Sequence, residues 1–217
     1  MSTPKISVII PAHNEERFIG RCLRSALTQT LSRDQYEIVV INDCSTDKTH
    51  QSIEPYHDEI VLLNNETNIG LPGSLNRGIR EARGQFIVRI DADDFVLPEY
   101  LNILSLSLRL NNALDAVACD YQLVDERQNV IMVMNCMEAP IGCAIMYRIE
   151  QLIDIGLYDD KFLAREDEDL RIRFQKKYTI SRVPVPLYKY HLHGENLTAD
   201  TETMARFRQM INEKHHI

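Results

Sequence analysis

The chain has 217 residues, 44% of them hydrophobic and 26% charged, which describes a folded protein with a substantial core and excludes a disordered or fibrous one. Its formal net charge of −8 argues against a general nucleic-acid binder, which needs a basic surface, and leaves room only for a local basic pocket. Cys22, Cys44, Cys119, Cys136 and Cys143 contain no C-x-x-C pair, so neither a disulfide framework nor a zinc knuckle is expected, and a reducing cytoplasm fits best.

Ser2, Thr3, Pro4 and Lys5 lead straight into an apolar stretch without the long apolar region of a signal peptide, and no window approaches a membrane span. Residues 6–10, stopped by Pro11, read as a strand buried on both faces. A helix follows, because Phe18, Ile19, Cys22, Leu23, Ala26 and Leu27 share one helical face. Residues 37–41 form a second strand ending at Asn42-Asp43, Thr46 or Asp47 caps a short helix, and residues 60–63 form a third strand. Leu71, Leu75, Ile79 and Ala82 mark a helix that Gly84 ends, and residues 86–90 make the fourth strand. Strands alternating with helices imply parallel pairing through right-handed crossovers, with ligands bound beyond the carboxyl ends of the strands.

The second half reads as mixed. Pro98 opens a helix through Leu108, residues 116–123 and Val130–Met134 form an antiparallel pair, and residues 142–147 add a strand. A charged helix spans residues 165–177, Pro184 and Pro186 break the chain, and residues 188–192 form an edge strand. The tail from Thr201 is amphipathic, with Met204, Phe207, Met210 and Ile211 on one side, a pattern that suits packing on the domain better than membrane contact. No linker or repeat divides the chain, so one domain over residues 1–198 is expected, split into halves at 95/96, with a helical tail over 199–217.

The most distinctive residues are Asp91-Ala92-Asp93-Asp94, directly after an apolar strand. Crowded carboxylates resist burial and persist where a divalent cation or a set of donors neutralises them. A helix dipole accounts for one such acid better than for three. A calcium loop begun at Asp91 would need Gly at 96 and Glu at 102, where Val96 and Asn102 stand. Neither a G-x-G-x-x-G nor a P-loop pattern occurs, so phosphate handling rests on a metal rather than on a glycine cradle. Asp43 at a strand end suits the imide N–H of a uracil, a reading preferred over the one in which Asp43 and Ser45 merely shape a turn.

In order and spacing, Ser7-Val8-Ile9-Ile10-Pro11-Ala12-His13-Asn14-Glu15, Asp43-Cys44-Ser45-Thr46-Asp47, Asn68-Ile69-Gly70 with Asn76-Arg77-Gly78, Asp91-Ala92-Asp93, Glu166-Asp167 and Tyr190-His191-Leu192-His193-Gly194-Glu195-Asn196-Leu197-Thr198 resemble the inverting family-2 glycosyltransferases of the GT-A fold. The resemblance implies an α/β fold with a central, mostly parallel sheet flanked by helices and a smaller antiparallel part. It implies transfer of a sugar from a nucleotide donor, foremost a UDP-sugar, to an acceptor hydroxyl of a saccharide or lipid-linked precursor, with Mn2+ or Mg2+ as cofactor. Asp43 would take the base, with Pro11, Ala12, Asn14 and Glu15 nearby and Asn68, Gly70 and Asn76 completing the nucleotide pocket. Asp91, with Ala92 beside it, would reach the ribose side, Asp93 would bind the metal, and Asp167 would be the general base. His193 would approach the metal or diphosphate, in competition with His191. Arg83 and Arg89 could contact sugar or phosphate or serve structural roles. A cytoplasmic protein, free or at the inner face of the membrane, is expected. The alternatives are an inactive nucleotide-sugar-binding module and a sugar nucleotidyltransferase.

Overall fold

A computed structural model describes residues 4–194 and 201–217. The stretch from Glu195 to Thr198, with the expected boundary at 198/199, lies outside the described residues. In the first half, β1 (Ile6–Ala12), β2 (Tyr36–Asn42), β3 (Val61–Asn64) and β4 (Phe86–Arg89) pair in parallel, connected through α1 (Ile19–Leu27), α2 (Thr49–Ile53) and α3 (Gly70–Glu81). β1 lies between β2 and β4 and is buried along its whole length, which is why its sequence is continuously apolar rather than alternating. Its side chains still alternate between two cores. Ile6, Val8 and Ile10 pack on one side with Leu23 and Tyr100, while Ile9 packs on the other with Leu75 and Phe174.

The second half comprises β5 (Phe95–Val96), α4 (Tyr100–Leu110), β6 (Ala116–Val124), β7 (Val130–Met134), β8 (Ile145–Arg148), α5 (Ile149–Asp154), α6 (Glu166–Gln175), β9 (Ile180–His191) and α7 (Thr201–His215). One nine-stranded sheet runs β3-β2-β1-β4-β8-β6-β9-β5, with β7 on β6. β8 is antiparallel to both β4 and β6, so the sheet turns from parallel to mixed where β8 joins β4. The parallel first half, the mixed second half and the β6/β7 pair agree with the sequence reading.

The stretch after α6 does not. Pro184 and Pro186 do not break the chain, and residues 188–192 are not a separate edge strand. Both prolines lie inside β9, which has twelve residues and sits between β6 and β5. The β6 register steps from Cys119 opposite Val183 to Asp120 opposite Pro186, so Pro184 and Val185 fall in the irregularity. On its other side β9 is met, among the described residues, only by β5, at Tyr188 and Lys189. Proline is tolerated where its missing N–H costs no ladder bond, and this strand offers such places. The expected strand at 142–147 also begins later, at Ile145, which frees residues 140–143 to form a loop.

The tail packs on the domain as its amphipathic pattern implies: Phe207 and Ile211 are buried against Phe162 and Ala164. Lys214 and His215 both reach the Asp169 carboxylate on α6, at 2.6 and 2.8 Å. Among the described residues no helix is long and apolar enough to cross a membrane.

Candidate active site

A crevice of about 670 Å³ opens beyond the carboxyl ends of β1, β2 and β4, within the range of cavities that enclose a nucleotide-sized ligand. The sheet order places Asp43, then Pro11 and Ala12, then Asp91 to Asp94 along it, and the start of α6 closes it beyond β4.

At the β2 end, Asp43 is 3% exposed. Its Oδ1 accepts from Asn65 Nδ2 at 2.7 Å and from the Ile69 backbone N–H at 2.9 Å. Among the described residues Oδ2 takes no donor, which leaves it for a ligand N–H. Asn65 is itself held by Ser74 and Arg77. The His13 Nδ1 lies 2.7 Å from the Asp43 carbonyl oxygen, while Asn14 and Asn68 both approach its Nε2 at 3.2 Å. Only one tautomer satisfies all three contacts: Nδ1–H donates to the carbonyl and Nε2 accepts from the amides. Asn14, in the left-handed region at φ 59°, accepts the Thr46 N–H at 2.8 Å and so ties the loop after β1 to the loop after β2. Gly70, at φ 78°, begins α3; a Cβ there would also lie 2.9 Å from Leu163.

The centre is organised by Arg89, buried at the end of β4. Its Nε donates to Asp91 Oδ1 at 2.5 Å and Nη2 to Asp91 Oδ2 at 3.1 Å, while Nη1 donates to Glu166 Oε1 at 2.7 Å. One cation is therefore shared between the first acid of the β4 motif and the first residue of α6; burial, with Asp167 adjacent, still raises the Glu166 carboxyl to about 7 against the pull of Arg89. Asp94 is equally committed: Tyr188 Oη donates to its Oδ2 and the His191 N–H to its Oδ1, both at 2.7 Å. Tyr188 Oη also accepts the Asp91 N–H. Burial, with Asp93 and Asp91 nearby, pushes the Asp94 carboxyl well above its ordinary range. Asp91, Asp94 and Cys143 bring donor atoms within 4.8 Å of one another, a group able to hold a cation, although both carboxylates already serve protein donors.

Asp93 faces the crevice, with its Oδ2 2.9 Å from His193 Nε2. That separation is close to the edge of an octahedron with ligands at about 2.1 Å, so Asp93 Oδ2 and His193 Nε2 could serve as neighbouring ligands of one hard cation. Both histidine rings pack on Phe18, with centroids 5.1 Å away for the buried His191 and 4.7 Å for His193, and it is His193 whose Nε2 lies beside the Asp93 carboxylate. Burial and the adjacent Asp91 raise Asp93 above the usual carboxylate range.

Asp167 lies in the first turn of α6, half-buried on the crevice wall. Burial raises its pKa, against the opposing pull of Arg89. The loop at 140–143 covers it closely: a Cβ on Gly142 would lie 2.6 Å from Asp167 Cβ and 3.3 Å from Arg89 Nη1.

Pro11, Ala12, Glu15, Asp43, Asn68, Gly70, Asp91, Ala92, Asp93 and Asp167 thus line one crevice. Asn14 and His193 stand just behind it, bonded to residues that do. Asn76 does not line it. Its amide donates to the Tyr158 carbonyl and to Asp160 and accepts the Tyr158 N–H, which fixes α3 to the segment before α6. Arg83 is spent on Glu37. Sequence reasoning did not single out His13 or Asn65 as orienting groups, nor Gly142, Arg171, Met204 and Arg208 as walls.

The model of the family described as "Glycosyl transferase family 2" matches residues 7–152, a span that includes the Asp43 and Asp91 to Asp94 sites and ends before Asp167. Over 100 residues the chain is 39% identical to the poly(ribitol-phosphate) beta-N-acetylglucosaminyltransferase TarS of Staphylococcus aureus, covering 45% of this chain and 18% of that protein. The fold matches residues 1–349 of S. aureus TarS solved with UDP-GlcNAc, at a TM-score of 0.81 and 23% identity over 95% of this chain and 65% of that one. It also matches a Pyrobaculum calidifontis mannosyltransferase solved with GDP-Man and Mn2+, at a TM-score of 0.78 and 19% identity over 99% and 65% of the two chains. The chain spans less than two thirds of each of these proteins.

Removing one member of a buried ion network leaves the others uncompensated. Arg89→Met is accordingly expected to destabilise the fold by about 3–5 kcal/mol in urea denaturation, with Arg89→Lys recovering only part because ammonium cannot serve both carboxylates in fork geometry. A loss within experimental error of zero would show that Asp91 and Glu166 do not depend on Arg89.

Proposed function

Because the chain belongs to glycosyl transferase family 2, we propose that it moves a sugar from a UDP-sugar to an acceptor hydroxyl with inversion, in the synthesis of a cell-surface polysaccharide or glycolipid. The single observation that carries this reading is the division of labour among the crevice acids. Asp43 offers one free carboxylate oxygen for the base, Asp93 stands beside His193 as a cation ligand, and Asp167 faces the crevice with a raised pKa. TarS, which resembles this chain in sequence and fold, is a beta-N-acetylglucosaminyltransferase by name and has been solved with UDP-GlcNAc, which favours a UDP donor.

In this scheme the uracil imide donates to Asp43 Oδ2, and the ribose lies toward Asp91. A Mn2+ or Mg2+ held by Asp93 and His193 would offset the charge that develops on the departing diphosphate; the mannosyltransferase neighbour was solved with Mn2+. Asp167 takes the proton of the acceptor hydroxyl while that oxygen bonds to the anomeric carbon and the bond from that carbon to the diphosphate breaks. One base suffices, because a single displacement has one proton to remove. A raised pKa suits Asp167 to the task, since a stronger base accepts the proton more readily as long as it is ionised. An inactive sugar-nucleotide-binding module would keep the Asp43 pocket without needing a carboxylate at 167.

Asp167→Asn is expected to retain UDP affinity by calorimetry while transfer, or slow donor hydrolysis, falls by about a hundred- to ten-thousand-fold. Unchanged turnover would remove Asp167 from the role. The sign of the pH dependence follows from the direction of its shift. The active form is deprotonated and the pKa is raised, so kcat should fall as pH drops through a value above the ordinary aspartate range, and this limb should vanish in the Asn variant. For the metal, wild-type protein should bind UDP more tightly with Mn2+ than without it, and Asp93→Ala should lose the difference. Equal affinities with and without Mn2+ in the wild type would contradict the metal role.

A further inference from the structure

The crevice contains a second charged region that sugar transfer as described does not use. Arg171 sits on α6 one turn after Asp167, hence on the same helix face, and lines the crevice. Arg173 on the same helix is matched to Asp169, and Arg89 in the crevice to Asp91 and Glu166. Among the described residues Arg171 has no ion-pair partner. Arg165 and Arg208 line the same wall and share a single carboxylate, Glu168, which accepts from Arg165 Nη1 at 2.7 Å and from Arg208 Nη1. Arg165 also donates to the Met204 carbonyl at 3.0 Å and adopts a left-handed backbone, φ 57°, a costly conformation for a residue with a Cβ. Three guanidinium groups thus face one carboxylate besides Asp167, in a chain of formal charge −8. They belong to the approach and body of α6 and to α7, elements that carry none of the groups assigned to the nucleotide.

We propose that Arg165, Arg171 and Arg208 form an anion subsite on the acceptor side of Asp167, and that the acceptor hydroxyl belongs to a phosphate- or phosphodiester-bearing molecule. The proposal rests on the transfer reading above for the meaning of "acceptor". Guanidinium forks match phosphate oxygens and give charge-assisted bonds, roughly twice as strong as neutral ones. A neutral acceptor seated on this wall would strip water from three cations and return no charge, which costs free energy. An anionic acceptor completes the balance and brings its hydroxyl to a helix face one turn from the base.

The test uses the full chain saturated with UDP and Mn2+, so that the donor site is filled, and titrates glycerol 3-phosphate and glycerol by calorimetry. Glycerol 3-phosphate is expected to bind and glycerol not, with Arg171→Ala weakening glycerol 3-phosphate about tenfold or more and leaving UDP affinity unchanged. Arg171→Lys should recover part of the loss, which a merely structural role would not require. The proposal is overturned by glycerol 3-phosphate affinity equal in wild type and Arg171→Ala, by no binding to wild type at roughly 10 mM, or by a fall in UDP affinity in the variant, which would assign Arg171 to the donor. Failure of the wild type to bind UDP at all would instead contradict the donor reading, and glycerol 3-phosphate binding measured without UDP would still decide the subsite.

Discussion

The site depends on one buried cation. Arg89 leaves β4 with its guanidinium divided between Asp91 and Glu166, and that division joins the end of a central strand to the beginning of α6. Burying three charged groups is costly, and the cost is offset only when each finds partners with good geometry, as these do. A hydrophobic replacement could join the same two elements more cheaply. What it could not do is hold two carboxyl groups at fixed positions within reach of a ligand.

The consequence is a sorting of acids. Of the carboxyl groups clustered at this end of the sheet, Asp91 and Glu166 share Arg89, and Asp94 is pinned by Tyr188 and the β9 backbone. Asp93 and Asp167 are left to face the crevice with raised pKa values. The proposed separation into cation ligand and base would follow from neighbours rather than from residue type: Asp93 has a histidine beside it, while Asp167 has the tight backbone of Gly142. The register break of β9 belongs to the same arrangement, since it sets the position from which Tyr188 and His191 reach Asp94.

Much of this was legible in the sequence because strand-end residues of a parallel sheet must converge, so Asp43, Asp91, Asp93 and Pro11-Ala12 could be placed together, although Pro11 does not stop β1 as expected and the strand runs on through Ala12. What stayed hidden came from long-range partners. Asn76 looks like a site residue in its motif, yet its amide is consumed by Tyr158 and Asp160, more than eighty positions away. Asn65 looks like a loop residue and instead orients Asp43. Two prolines suggested a broken chain after α6 because sequence shows their missing N–H but not the register step that makes it harmless. The amphipathic tail declared its buried face through Phe207 and Ile211, while Arg208, on the polar side, gave no sign that it would reach the crevice.

The central claim is a direct displacement in which one carboxylate, held beside Arg89, activates the attacking oxygen on the side of the anomeric carbon away from the diphosphate. Proton NMR of the first sugar released from UDP-GlcNAc by wild-type protein with Mn2+, recorded before mutarotation, reads this directly. The account predicts the β-anomer from the α-linked donor; the α-anomer as first product would contradict it.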